Sequence, residues 1–207
     1  MSIGIVVPTY NEKENLPILV DRLRALPLPD LSILVIDDNS PDGTGALADE
    51  LAVRFPGCLS VIHRSGKLGL GTAYITGFQH MLANGIDLIG QMDADFSHEP
   101  EKIIEFVSAI KDHDLILGSR YIPGGSLDHN WPAWRKGLSN FGNIYARTIL
   151  GVPVKDVTGG FRLWRREVLS AIPWERVRSN GYVFQIEMAY VAHKLGFKIK
   201  EVPIYFA

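Results

Sequence analysis

Short aliphatic runs alternate with amphipathic stretches along the first 120 residues. Ile3 to Val7, closed by Pro8, is too short for a helix and rich in β-branched residues, which predicts a buried strand. Ser32 to Ile36, Leu59 to His63, Leu88 to Met92 and Leu115 to Leu117 read the same way. Between them lie helical patterns. Leu16, Leu19, Val20 and Leu23 recur at helical spacing after Asn11, a candidate cap, and Pro27 and Pro29 stop that helix. Thr44 to Phe55 carries Leu47, Leu51 and Phe55 on one stripe. A third helix follows the glycine-rich RSGKLGLGTAYITGF and runs to about Asn84, and a fourth spans Pro100 to Lys111.

Strand and helix in strict alternation imply an α/β fold with a mostly parallel sheet and helices on both faces. In such sheets ligands bind beyond the carboxyl ends of the strands. The pattern changes after Tyr121: a Gly- and Pro-rich loop precedes an amphipathic helix from Trp134 to Leu150, where Arg135, Lys136 and Arg147 accompany Leu138, Phe141, Ile144, Tyr145 and Ile149. Phe161 to Trp164 reads as an antiparallel strand. Arg166 to Ile172 and Tyr182 to Leu195 read as helices, and Lys198 to Phe206 as a last strand. We expect one domain over residues 1–207, with a nucleotide-binding part to about 120 and an acceptor-side part over 121–207.

The chemistry collects at the predicted strand ends. The fourth strand breaks into Asp93 and Asp95, one residue apart, so two carboxylates share a small volume. Such a pair repels itself, and a divalent cation with hard oxygen ligands relieves the repulsion. The alternative is that Asp95 or Ser97 caps the helix that Pro100 and Glu101 start. Pro8-Thr9-Tyr10-Asn11-Glu12, Asp37-Asp38 and Ser119-Arg120 close the other strands. Caps and turns explain each of these singly, but not Glu12, Asp38, Asp93, Asp95 and Arg120 on one edge. The set suits a metal-assisted nucleotide site, with a carboxylate for base or ribose, an acid pair for a cation bridging two phosphates, and an arginine for another anion. No G-x-G-x-x-G follows the first strand, which disfavours a dinucleotide. The glycine-rich segment also lacks the P-loop order, so Gly69 and Gly71 are expected to allow close backbone approach.

Composition adds exclusions. With 21 Lys plus Arg against 23 Asp plus Glu, the net charge of −2 gives no basic footprint for nucleic acid. The single cysteine, Cys58, fits a reducing compartment. No basic leader precedes Ile3, and no apolar run reaches the roughly 18 to 20 residues of a membrane span. The expectation is a cytoplasmic chain that touches a membrane rather than crossing one.

The blocks PTYNEKENL, VIDDNSPDGT, QMDADFSHEP, GSRYIPGG, NWPAWRKGLSN and DVTGGFR, in this order, resemble the family 2 glycosyltransferases of GT-A fold, and more narrowly their dolichol- and polyprenol-phosphate mannosyltransferase branch, from Ile3 to Phe206. The resemblance implies a GT-A, Rossmann-like, mostly parallel sheet with a small antiparallel C-terminal addition. It implies donor-nucleotide contacts from Pro8, Tyr10, Glu12, Ile36, Asp38, Asp93 and Ala94, and a Mg2+ or Mn2+ ion on Asp95 with Asp93 beside it. It places the acceptor phosphate on Arg120 and Arg135, with Ser139 as a weaker match. Asp156 and Thr158 to Phe161 would floor the donor pocket.

The implied reaction transfers mannose from GDP-mannose to a polyprenyl phosphate at the cytoplasmic face of a membrane. Asp95, Arg120 and Arg135 would carry it. Alternatives are another donor, UDP-glucose or UDP-N-acetylglucosamine, or a non-catalytic nucleotide-sugar-binding subunit. Two departures stand out: Ser97 replaces a Gln that serves some relatives as a metal ligand, and the basic R-x-x-G-x-S-K segment of relatives is absent before Ala207.

Overall fold

The computed structural model describes residues 1–128 and 132–207, with the side chains at 133, 135, 136, 138 and 139 also outside the description. The block NWPAWRKGLSN therefore lies largely outside the described residues. The elements are β1 (Ile3–Thr9), α1 (Asn15–Arg24), β2 (Leu31–Asp37), α2 (Thr44–Arg54), β3 (Leu59–His63), α3 (Leu70–Ala83), β4 (Leu88–Gln91) and α4 (Lys102–Ala109). They continue with β5 (Leu115–Ser119), β6 (Ser126–Leu127), α5 (Ala133–Leu150), β7 (Arg162–Arg165), α6 (Arg166–Ala171), α7 (Gly181–Lys194), β8 (Ile199–Pro203) and β9 (Tyr205–Phe206).

Among the described residues the main sheet has the order β3-β2-β1-β4-β7-β5-β8. All neighbours are parallel except β7, which runs antiparallel to both β4 and β5. The antiparallel part is thus a strand inserted into the central sheet. The expected last strand breaks at Ile204 into β8, which pairs with β5, and β9, which pairs in parallel with β6.

Strand alternation divides the core into two layers. Ile5, Val7, Ile33, Val35 and Ile116 pack with Leu16, Leu19, Leu23, Leu51 and Phe106 of α1, α2 and α4 on one face. Val6, Leu34, Ile36, Ile89 and Trp164 pack with Tyr74, Phe78, Val168, Phe184 and Met188 of α3, α6 and α7 on the other. Both faces are covered, so the strands read as continuous apolar runs.

The strands fan out in two directions from the β1–β4 boundary, β2 and β3 to one side and β4 onward to the other. β1 and β4 pair only from Ile3↔Leu88 to Val6↔Gln91, whereas β1 stays paired to β2 as far as Thr9↔Asp37. Beyond Val6 the two strands part, and this switch point is where an α/β sheet opens a crevice.

The first helix begins later than its expected cap. Asn11 adopts a left-handed conformation (φ 62°), and Glu14 precedes the helix without a side-chain capping bond. The backbone N–H groups after β1 are instead satisfied by the β2–α2 connection. Asn11 N–H donates to Ser40 Oγ, Glu12 N–H to Thr44 Oγ1 and Lys13 N–H to Asp42 Oδ2. The tips of β1 and β2 are thereby bonded into one rim.

Candidate active site

A cleft of about 230 Å³ opens at the switch point, lined by Pro8, Thr9, Tyr10, Glu12, Asp38, Lys67, Gly69, Leu70, Ala73, Asp93, Ala94 and Asp95. Six of the seven expected nucleotide contacts reach it. Ile36 does not: its side chain is fully buried beneath the cleft beside Val6 and Leu34.

The acid pair follows β4. Met92 N–H donates to Val6 O, the last tie between the parting strands, and Asp93 is the next residue. Its Oδ1 accepts the hydroxyl of Tyr74 at 2.6 Å, and its backbone N–H faces His98 Nδ1 at 3.4 Å. Asp95 is exposed, and its Oδ1 accepts the N–H of Ser97 at 3.0 Å. Asp95 thus shapes its own loop and is not the cap of α4, which starts at Lys102 after Glu101. Phe96 between them holds φ 60°, a left-handed conformation that costs a bulky residue of order 1–3 kcal/mol and clusters at functional sites.

The acids crowd one another. Burial pushes the Glu12 carboxyl up, and the charges of Asp95, Asp42 and Asp93 add to the rise against a bond from Asn15. Burial likewise raises the Asp38 carboxyl, and Arg64 at 3.2 Å opposes the rise. Such a set of hard oxygens fits a divalent cation. Among the described residues no three His, Cys, Asp or Glu side chains stand close enough to hold a metal by themselves, so an ion on Asp93 and Asp95 would take its remaining ligands from substrate oxygens and water.

Arg64 and Lys67 are cations that the motif reading did not single out. Arg64 reaches Asp38 and donates to Thr72 Oγ1 at 2.7 Å, bracing the glycine-rich segment against the β2 tip. Lys67 lies 4.1 Å over the Tyr10 ring at the cleft wall. The glycines act as expected. Gly69 (φ 102°) leaves no room for a Cβ beside Asn180, and Gly71 presses against Phe184. Asn180 Oδ1 accepts the N–H groups of both Gly71 and Gly181, joining the starts of α3 and α7.

Arg120, just past the end of β5, has its side chain nearly out of solvent and turned to Asp156: Nε donates to Oδ2 and Nη2 to Oδ1, while Nη2 also donates to Thr158 Oγ1. Burial would lower the arginine's affinity for its proton, but the bonds to Asp156 outweigh this and the net shift is upward. Glu201 fixes the Asp156 loop by accepting the N–H groups of Lys155 and Asp156. Gly160 lies against Asp93: a Cβ there would stand 3.3 Å from Asp93 Oδ2. Arg135 and Ser139 fall on α5, and their side chains lie outside the described residues. His98, near the acid pair, is buried and stacked on Phe161 at 5.0 Å, and burial lowers its proton affinity.

The model of the family described as Glycosyl transferase family 2 matches residues 4–172. The chain belongs to that family. As a family 2 glycosyltransferase it is an enzyme of GT-A fold. It is 49% identical over 203 residues to a polyprenol monophosphomannose synthase of Mycolicibacterium smegmatis, covering 98% of this chain and 76% of the relative. An undecaprenyl-phosphate mannosyltransferase of Micrococcus luteus is 45% identical over 206 residues, covering 100% of this chain and 84% of the relative. Among solved structures, a mannosyltransferase of Pyrobaculum calidifontis in complex with GDP-Man and Mn2+ superposes with TM-score 0.69 at 19% identity, over 99% of this chain and 56% of that one. Glucosyl-3-phosphoglycerate synthase of Mycobacterium tuberculosis, in complex with Mn2+ and UDP, also scores 0.69 at 18% identity, over 99% and 70%. Both share the fold with this family 2 enzyme.

Proposed function

We propose that this glycosyltransferase moves mannose from GDP-mannose to a polyprenyl phosphate, releasing GDP, with Mg2+ or Mn2+ as cofactor. The observation that carries the reading is the convergence of Pro8, Tyr10, Glu12, Asp38, Asp93, Ala94 and Asp95 in one cleft at the switch point. The two mannosyltransferase relatives, both above 40% identity, supply the donor sugar and the lipid class. The solved neighbour in complex with GDP-Man and Mn2+ supports the base and the metal.

Asp38, held beside Arg64, offers carboxylate oxygens to the base or ribose, and Tyr10, with Lys67 over its ring, flanks the nucleotide. Asp95, with Asp93 beside it, would hold a divalent ion, whose charge would neutralise that of the leaving diphosphate. The nucleophile is a phosphate monoester whose second pKa is about 6, so at neutral pH it is already anionic and no side chain has to remove a proton. The task left to Arg120, Arg135 and Ser139 is to hold that anion against the donor. Asp156 and Thr158 take the Nε and Nη2 donors of Arg120 and keep its guanidinium oriented, so its contact with that anion is through Nη1. Attack opposite the diphosphate inverts the anomeric centre. Residues 1–120 carry the donor contacts in this reading and 121–207 the acceptor side.

The acceptor is lipid-borne, and α5 carries Trp134, Phe141, Ile144, Tyr145 and Ile149 exposed. Among the described residues no helix is long and apolar enough to cross a membrane. This face lies at the headgroup level of the cytoplasmic leaflet, as an interfacial helix does.

The test is a transfer assay with GDP-mannose, UDP-glucose and UDP-N-acetylglucosamine, each with undecaprenyl phosphate and Mg2+ or Mn2+, read by mass spectrometry of the lipid product. Mannosyl transfer from GDP-mannose is expected. Transfer only from a UDP-sugar, or none from any donor, overturns the reading.

A further inference from the structure

Asp93 is reached by one group from outside every sequence motif around it. Tyr74, in the second turn of α3, is completely buried, and its hydroxyl donates to Asp93 Oδ1 at 2.6 Å. That length is typical of a strong hydroxyl-to-carboxylate bond.

The ring has little freedom to tilt. It stacks between Phe78 of α3, with centroids 5.8 Å apart, and Phe184 of α7, at 6.3 Å and an interplanar angle of 3°. The height of the ring above the sheet is also set: a Cβ at Gly77 would collide with Val6 of β1, so α3 lies directly on the strand. The two strands that form the cleft and the two helices behind it thus all bear on the position of one hydroxyl.

We propose that Tyr74 is a positioning residue for the transfer reaction: its hydroxyl occupies Asp93 Oδ1 and leaves Oδ2, over Gly160, as the oxygen presented to the metal-bound donor. This rests on the nucleotide-and-metal reading of the cleft. A carboxylate held at one oxygen is restrained in its rotation, so the direction of its other oxygen is set before the donor arrives.

Three variants test it: Tyr74→Phe, which keeps the stacked ring, Asp93→Asn, and the two combined. Two readouts are taken, steady-state transfer and the affinity for Mn2+ in the presence of GDP, measured from the electron paramagnetic resonance signal of free Mn2+. Rates are normalised to the folded fraction from near-ultraviolet circular dichroism, so that lost stability does not pass for lost activity. Tyr74→Phe is expected to lower kcat and weaken Mn2+ binding by about 10- to 100-fold, the range for a removed partner of a ligating group, with KM for the lipid phosphate unchanged. In the Asp93→Asn background it should cost nothing further, because Tyr74 acts through Asp93.

Wild-type kcat and Mn2+ affinity in Tyr74→Phe, or effects that simply multiply in the double variant, overturn the proposal. If the wild-type enzyme uses another sugar nucleotide, the GDP-mannose reading falls, and the same comparison with that nucleotide decides for or against Tyr74. If the wild-type protein binds no nucleotide with Mn2+, both fall.

Discussion

The guanidinium of Arg120 grips Asp156 through two parallel bonds, Nε to Oδ2 at 2.7 Å and Nη2 to Oδ1 at 2.8 Å, with both side chains nearly out of solvent. Burial pushes the Asp156 carboxyl up, but the bonds from Arg120 and Thr158 prevail and hold it below the usual carboxylate range. A carboxyl whose folded pKa is depressed stabilises the fold above its unfolded pKa, and that contribution disappears as pH falls through the folded value. The wild-type urea midpoint should therefore drop on acidification below the usual carboxylate range, and Asp156→Asn should flatten that drop. At pH 7 Asp156→Asn strands a buried cation, for which about 3–5 kcal/mol of destabilisation is expected. Urea titration of both proteins between pH 7 and pH 3 checks both statements.

Asp95 is exposed and bonded to its own loop. Asp95→Ala should leave the thermal midpoint within a degree or two of wild type by the rule for surface substitutions. Turnover should fall by at least about a hundredfold, the scale for removing one stabiliser of developing charge. A variant with wild-type rates would remove Asp95 from the metal site.

Arg64 opposes the upward push that burial exerts on Asp38, while Asp37 adds to it and the backbone N–H groups of Leu68 and Gly69 oppose it. Arg64→Gln should raise the donor KM by about tenfold, corresponding to one lost charge-assisted bond. Its donor KM should also begin to grow at a higher pH than in the wild type on acidification, since an Asp38 that Arg64 no longer opposes takes up its proton at higher pH. Initial-rate measurements at three pH values would show it, and a donor KM equal to wild type throughout would separate Arg64 from the nucleotide.

Phe141 and Tyr145 stack on each other at 6.2 Å on the outside of α5, away from either core layer. Phe141→Ser with Tyr145→Ser should leave the folding midpoint unchanged and reduce co-sedimentation with anionic liposomes several-fold, since each aromatic carries an interfacial contribution of about 1.5–3 kcal/mol when buried. Equal co-sedimentation of variant and wild type would place the membrane contact elsewhere.

The local pattern along the chain determined the elements and the acid-bearing strand tips. Runs such as Ile3 to Val7 and Leu88 to Met92 have one stable use, a strand covered on both faces, and period-two alternation carries Asp93 and Asp95 past the end of β4 together. The motif residues were legible because each lies within a few positions of such an end. Tertiary structure decided what no spacing encodes. The antiparallel β7 enters between β4 and β5 and brings Gly160 against Asp93 from far along the chain. Asp156 orients the arginine that the motif assigned to an anion, and Tyr74, buried in the core, reaches the carboxylate of Asp93 just past β4. Asn11, a cap by its position, instead turns left-handed because side chains of the β2–α2 loop already satisfy the backbone there. Contacts between residues distant in sequence depend on which faces the sheet brings together, and a linear pattern of apolar and polar positions carries the face but not the neighbour.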